Sequence, residues 1–414
     1  MDNYLESNHF FENIDPFELV KTYGTPVYVY SEKVLRQRCR DLKNLLKYPN
    51  FDIHYSVKTN NNLELLKIIR DESLSVDAMS PGEIYTCTLA GYPLDRIYSV
   101  CNNVSADDMR YAGERGIVTS VDSIMQLDLW GQVNPGTKVS VRFNPGVGAG
   151  HHEKVITAGR NTKFGVSRAE TDDVKALLRK YNLTLEGINL HIGSLFLDHD
   201  AYLEAAEVLM EISEQFESIQ FLDFGGGFGI PYQKHAEQPR LDLVKTGKAF
   251  DALIEKWTKK TGWNGTIVIE PGRFVAAECG VILGTVNSIK TLYNKKYIGT
   301  DLGFNRMPRP VMYDAYHEVE VYRQNPPTQQ EKEIVQVVGN ICETGDYIAK
   351  DRELPKVEQH DLIAVLDAGA YCYSMSSIYN LRERPAEVLI MDDGTHRLIR
   401  KRDTLEDMIK NSIV

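Results

Sequence analysis

Several features that would each decide a protein's class are missing from this sequence. It has no stretch of eighteen or more apolar residues, so no membrane-spanning segment is expected. It has no Lys/Arg run longer than the three residues Arg400-Lys401-Arg402 and carries a formal net charge of −11. Binding a phosphate backbone needs a basic face, so nucleic acid is not an expected partner. Its six cysteines (Cys39, Cys87, Cys101, Cys279, Cys342, Cys372) include no CxxC pair. They read as reduced thiols, most of them small buried apolar groups. There is no repeat at solenoid spacing and no low-complexity tract. The opening MDNYLESNHFFENID is acidic and lacks the basic-then-apolar order of a signal peptide, so the cytoplasm is the expected location. His151-His152-Glu153 lacks the i,i+4 histidine spacing of a zinc helix, so it reads as loop and no metal is expected.

What is present is an ordinary globular composition, 43% hydrophobic and 25% charged, in 414 residues. That length exceeds one compact core and calls for two domains, or a large barrel with an appendage. From about residue 50 to 275, short β-branched runs alternate with amphipathic stretches. The runs are FDIHYSVK, SLSVDAM, RIYSV, GIVTSVDS, KVSVRFN, LEGINLHIG, IQFLDFGGG and TIVIEPGR. Between them, stretches such as NLELLKIIRDE, ADDMRYAGERG, DDVKALLRKY and AYLEAAEVLMEISEQF place apolar residues at helical spacing. Each parallel strand needs a crossover helix to return, so the fold class is α/β. An open doubly wound sheet gives a similar alternation, but eight units within about 220 residues favour a (β/α)8 TIM barrel.

After Arg273 the texture changes. KEIVQVVGNIC, DLIAVLDAG, AEVLIMDDG and HRLIRKR are β-rich and broken by Gly, Pro and Asp. The expectation is a barrel over 32–278, followed by a mainly antiparallel β domain over 279–414. That second domain also takes in residues 1–31 through TPVYVYS. Pro326-Pro327-Thr328-Gln329-Gln330 reads as an exposed loop.

Barrel active sites collect at the C-terminal ends of the strands, and these ends carry unusual residues. The first strand run ends in Lys58, the second carries Asp77, the fifth Arg142, and the sixth runs into His191 and Ser194. The seventh opens into Gly225 to Gly229, and the eighth into Glu270, Gly272 and Arg273. Singly, each has an ordinary reading: a surface lysine, a satisfied core histidine, a tight glycine turn, a local Glu–Arg pair. Together they suit pyridoxal phosphate. Lys58 can form a Schiff base, and a nest at Gly226, Gly227 and Gly229 can hold the phosphate with Ser194, Gly272 and Arg273. His191 can stack on the ring, and Glu270 can keep its nitrogen protonated.

YSVKTNNN around Lys58, RFNPGV from Arg142, TKFGV from Thr162, LHIGS, DFGGGFG and EPGR are recognisable as a set. The chain resembles the diaminopimelate decarboxylases, within the wider alanine-racemase/ornithine-decarboxylase barrel superfamily, from TYGTPVYVYS to the C-terminal region. The resemblance implies cofactor contacts from Asp77, Arg142 and Tyr371, the last lying in DAGAYCYSMSSIYN. It further implies that MPRPVMYDAYH grips the distal carboxylate of an amino-acid substrate through Arg309 and Tyr313, with Arg273 helping. A bidentate arginine suits a carboxylate, which ornithine does not offer at its far end. In CETGDYIAKDRELP, Cys342 is implied to lie near the cofactor of a neighbouring subunit and Glu343 to meet the distal ammonium. A homodimer with shared sites follows from the same resemblance, as does decarboxylation of meso-2,6-diaminopimelate to L-lysine.

Two departures stand out. Leu195 follows HIGS where the family usually has Gln, and Arg306 occupies a position where a shorter polar residue is common. Both are expected to bear on the substrate pocket. They keep open a decarboxylase of lysine, ornithine or a carboxylated diamine. A catalytically silent relative would be free to lose Lys58 or Cys342, and a cofactor-free barrel aldolase would leave Glu270 without a role.

Overall fold

The computed structural model describes residues 4–5, 10–11, 13–146, 158 and 163–413. Val147, Thr162 and the segment His151-His152-Glu153 lie outside the described residues. The chain separates into two compact units, one of residues 36–231 and 239–275, the other of 1–35, 232–238 and 276–414. The division expected at 31/32 and 278/279 therefore differs by a few residues at each boundary and by one excursion, Tyr232–Gln238, which belongs to the β unit. Among the described residues no helix is long and apolar enough to cross a membrane.

The first strand, β1 (Val27–Ser31), belongs to the β unit. The other unit is a closed parallel barrel of eight strands: β2 (Phe51–Ser56), β3 (Ser75–Ala78), β4 (Ile97–Val100), β5 (Thr119–Val121), β6 (Lys138–Arg142), β7 (Thr184–Asn189), β8 (Phe221–Asp223) and β9 (Thr266–Ile269). It closes where Phe51 to Ile53 pair with Ile267 to Ile269. Seven strands fall inside one of the eight β-branched runs and β7 starts one residue before its run, while the crossover helices fall on the amphipathic stretches. Leu63–Asp71 shows why: its i, i+3, i+4 spacing buries Leu65, Leu66, Ile68 and Ile69 on one face. The Asn62 side chain starts the helix by accepting the Glu64 N–H at 2.9 Å.

The barrel interior is unusually polar. Branched aliphatic residues usually fill such interiors in layers contributed by alternate strands. Here Tyr98 on β4 donates to Ser140 on β6 at 2.9 Å. Ser120 on β5 donates to Asn189 on β7 at 2.6 Å. Bonds between alternate strands cross the inside of the barrel, and all four residues are buried.

The β unit contains β10 (Gly280–Leu292), β11 (Lys295–Thr300), β12 (Val319–Tyr322), β13 (Lys332–Val338), β14 (Tyr347–Pro355), β15 (Leu362–Val365), β16 (Ala386–Ile390) and β17 (His396–Arg400). Its strand order is β14-β13-β11-β10-β1-β16-β17, with β15 pairing β10 and β12. Most pairings are antiparallel, but β1–β16 and β11–β13 are parallel. The period-2 pattern of β1 explains its central place. Val27 and Val29 pack with Val281, Leu283, Leu362, Ala364 and Val388. Tyr28 and Tyr30 alternate with them, donating to Arg306 O at 2.5 Å and Glu387 Oε1 at 2.7 Å. Residues 326–330 form the link between β12 and β13 and are mostly exposed.

Tyr232–Gln238 is fastened by Lys234, whose Nζ lies 2.7 Å from Asp367 Oδ1 and 3.6 Å from Glu278 Oε1. Burial pushes the Asp367 carboxyl up to about 6, against the opposing charge of Lys234. That folded value exceeds the ordinary ~4 of an unfolded Asp. The Asp367 contribution therefore favours the fold at low pH and is lost as pH rises through about 6. Removing the lysine should deepen that loss. Lys234→Ala is expected to lower stability by about 1–3 kcal/mol near pH 8 and by little near pH 5, read from urea midpoints. Equal losses at both pH values would assign the effect to the packing of the lysine stem.

Candidate active site

At the carboxyl end of the barrel, β2 stops at Ser56 and the chain turns through a single 3-10 turn, Val57–Thr59. Lys58 therefore sits just past its strand. Its Nζ is 4.0 Å from Asp77 Oδ1 and 3.9 Å from Met79 Sδ. Asp77, on β3, is fully buried, and its other oxygen takes the Ser56 hydroxyl. Gly272 closes the floor beside this turn. A Cβ there would fall 2.0 Å from Thr59 Oγ1, so no larger residue fits.

Arg142 ends β6, with its guanidinium 4.7 Å from the Phe164 ring centroid and Nη2 donating to His191 O at 3.4 Å. His191 lies two residues past β7. Its Nδ1 accepts the Gly226 N–H at 3.0 Å, which leaves the proton of the neutral ring on Nε2. Burial, then the charges of Arg142 and Lys58, hold its pKa well below the ordinary histidine range. The ring is therefore neutral at neutral pH.

The glycine nest is narrower as a donor than expected. The Gly226 N–H is engaged by His191, and the Gly229 N–H donates to Phe196 O at 3.0 Å. Among the described residues, no protein acceptor takes the amides of Gly227 and Phe228. Gly227 has φ 104, and a Cβ on it would lie 2.7 Å from Gly193 O. Ser194 Oγ accepts from Arg273 Nη2 at 2.9 Å and Nε at 3.3 Å. Leu195 adopts φ 69, a left-handed conformation uncommon for a leucine.

Glu270 lies just past β9 and is 4% exposed. Its Oε1 has no hydrogen-bond partner among the described residues, and neither do Asp77 Oδ1 and Asp223 Oδ2. Burial, then the charges of Asp223 and Asp77, push the Glu270 carboxyl well up, with Lys58 opposing. Asp223 was not picked out from the sequence. Its signal was there, an acid as the last residue of a strand, one residue before three glycines.

The remaining expected residues lie in the β unit. Arg309 opens the short helix Arg309–Tyr313 and is buried. Its Nε donates to His317 Nε2 at 3.1 Å, and its guanidinium lies 5.0 Å from the Tyr232 ring centroid. Tyr313 is half-buried. Arg306, expected to bear on the pocket, is buried and donates to two backbone carbonyls, Asp301 O at 2.5 Å and Glu383 O at 3.2 Å. These bonds brace the β unit. Five cysteines are buried and Cys342 is exposed. Its Sγ accepts from Asn380 Nδ2 at 3.1 Å, while its N–H donates to Asn380 Oδ1 at 3.2 Å. Glu343 Oε1 accepts the Tyr379 hydroxyl at 2.7 Å. Tyr371 is half-buried with φ 57.

Comparison with known proteins agrees with this geometry. Residues 32–277 match the pyridoxal-dependent decarboxylase family through its pyridoxal binding domain. The diaminopimelate decarboxylase of Methanothermobacter thermautotrophicus is 39% identical over 97% of this chain and 94% of its own length. That of Escherichia coli K12 is 32% identical over 94% of this chain and 93% of its own. The crystal structure of Helicobacter pylori diaminopimelate decarboxylase complexed with L-lysine superposes with a TM-score of 0.88 at 30% identity, covering 96% of this chain and 98% of that one. A barrel-mouth lysine facing buried acids, carried by a chain with such relatives along nearly its whole length, belongs to the diaminopimelate decarboxylase family of pyridoxal-dependent enzymes.

Proposed function

We propose that this protein decarboxylates meso-2,6-diaminopimelate to L-lysine and CO2, with pyridoxal 5'-phosphate held at Lys58. The observation that carries the reading is the buried Glu270 carboxyl at the mouth of the barrel, whose Oε1 takes no N–H or cation among the described residues. Leaving such a group unpaired costs roughly 1–3 kcal/mol, so a ligand that brings an N–H to it is strongly favoured. A protonated pyridine nitrogen is such a donor.

The other residues fit the same group. The Lys58 amine supplies the covalent anchor, and Asp77 holds that amine in place. The neutral, tethered His191 ring offers a flat face. Ser194, Arg273 and the amides of Gly227 and Phe228 offer donors for a phosphate, with Gly272 and Tyr371 completing the set. Gly226 and Gly229 shape the nest through their lack of side chains. Arg142 holds the backbone at His191. When bound, pyridoxal phosphate accepts the electron pair left on carbon as CO2 departs. Glu270 would keep a negative charge facing the ring nitrogen during that step.

For the substrate, Arg309 is already braced by His317 and Tyr232, the preorganisation that a carboxylate contact requires. Tyr313 and Arg273 would assist it, and Glu343 would meet the distal ammonium. Cys342 and Glu343 lie on the exposed surface of the β unit, which suits residues lent to a second copy of the chain in a homodimer. A cytoplasmic setting accords with the reduced cysteines.

Three outcomes are expected. Borohydride treatment of the yellow holoenzyme should fix a pyridoxyl label on Lys58. Retention of both label and turnover by Lys58→Ala would defeat the reading. Arg309→Ala should lose about 2–5 kcal/mol of transition-state binding on diaminopimelate, and far less on any slow reaction with lysine. Equal losses on both substrates would make Arg309 structural. Finally, Lys58→Ala and Glu343→Ala should each be nearly inactive alone. After subunit exchange about half the dimers are mixed, each with one intact site, so about a quarter of wild-type activity should return. Confirmed exchange with no recovered CO2 release would place each site within one chain.

A further inference from the structure

The proposed reading uses Glu270 and His191 but gives no role to the acid that links them. Asp223 ends β8 and is fully buried. Its Oδ1 accepts the Gly225 N–H at 2.8 Å. The Gly225 carbonyl in turn accepts the Glu270 N–H at 2.9 Å, and the next amide, Gly226 N–H, donates to His191 Nδ1 at 3.0 Å. One turn therefore joins the side chain of Asp223, the backbone of Glu270 and the ring of His191.

That turn has little freedom to relax. Gly225 is left-handed at φ 64, and a Cβ there would meet Leu190 O at 2.4 Å and His191 Nδ1 at 2.9 Å. At Gly226 a Cβ would meet Glu270 O at 2.0 Å. The second oxygen of Asp223 has no hydrogen-bond partner among the described residues, the same condition as Glu270 Oε1. Two buried carboxyls that interact do not both ionise at neutral pH, so the pair retains a proton. The charged and titratable groups facing them are His54 on β2, Asp77 on β3, Tyr98 on β4, Arg142 on β6, Tyr202, and Lys58. Burial pushes Asp223 up to about 7, which agrees with a retained proton.

We propose that Asp223 is a positioning residue, which fixes the Gly225–Gly226 turn so that His191 stays protonated on Nε2, and which shares one proton with Glu270. When a cationic ring nitrogen meets Glu270, that carboxyl ionises and the proton resides on Asp223. The inference rests on His191 and Glu270 being cofactor contacts. It assigns to the acid before the glycines a role in setting both.

Asparagine imitates the protonated acid, because its carbonyl can accept the Gly225 N–H while its amide donates to Glu270. Asp223→Asn holoenzyme should keep the wild-type His191 ring signals in 15N NMR, with a bare Nδ1 and a protonated Nε2. It should keep kcat within about threefold, and the pH-dependent change in its visible absorption should move away from the wild-type position. Asp223→Ala should show mixed His191 tautomers and a kcat lowered about ten- to a hundredfold with KM little changed. Wild-type His191 signals in Asp223→Ala would overturn the proposal, as would loss of the Nε2-protonated state in Asp223→Asn. If the alanine variant does not fold, Asp223→Asn decides alone, and an absorption titration identical to wild type overturns the shared proton. Borohydride labelling of Lys58 in the same samples separates the two readings: a labelled enzyme that fails these tests removes only the role of Asp223.

Discussion

Burying a carboxylate costs free energy that only a cation or a hydrogen-bond donor returns, and the barrel mouth is organised around that cost. Asp77, Asp223 and Glu270 are all buried there, each with an oxygen that takes no N–H among the described residues. Lys58 at 4.0 Å from Asp77 offsets only part of this. His191 is kept neutral by burial first and then by the positive charges of Arg142 and Lys58. On the proposed reading, a protonated ring nitrogen facing Glu270 would return part of that cost.

The β unit solves a separate problem. A sheet of this size needs a strand that satisfies both of its faces and both of its edges, and β1 is that strand. Its valines fill the core on one face while its tyrosines reach polar partners on the other. Arg306 extends the same bracing by holding the carbonyls of Asp301 and Glu383. The residue that stands out in the sequence as a departure beside the substrate segment is also a strut in the β unit.

The barrel was legible because its strands are short β-branched runs, and those runs are what eight parallel strands leave in a sequence. Lys58, His191, Glu270 and Arg273 were legible because strand ends are where chemistry is expected. Other features depend on through-space geometry. The Gly226 and Gly229 amides serve His191 and Phe196, which no spacing announces. Asp223 sits inside a motif whose glycines draw all the attention. The parallel pairing of β1 with β16 joins residues 27–31 to 386–390, a separation that no local pattern encodes. Nor does any pattern reveal that Leu195 must adopt a left-handed backbone.

The polar filling of the barrel has a consequence for how the closed cylinder chooses its stagger. Aliphatic side chains tolerate sliding, because one methyl group packs about as well as the next. Hydrogen bonds are directional, and the Tyr98–Ser140 and Ser120–Asn189 pairs each connect strands two places apart around the circumference. A slip of one residue in any strand between β4 and β7 turns these groups outward or strands them in the dry interior without partners. Each misaligned closure would then carry several unsatisfied polar atoms, while the observed one satisfies both pairs. The interior thereby acts as a vernier: it reads the offset of β4 against β6 and of β5 against β7, and favours the setting that satisfies both.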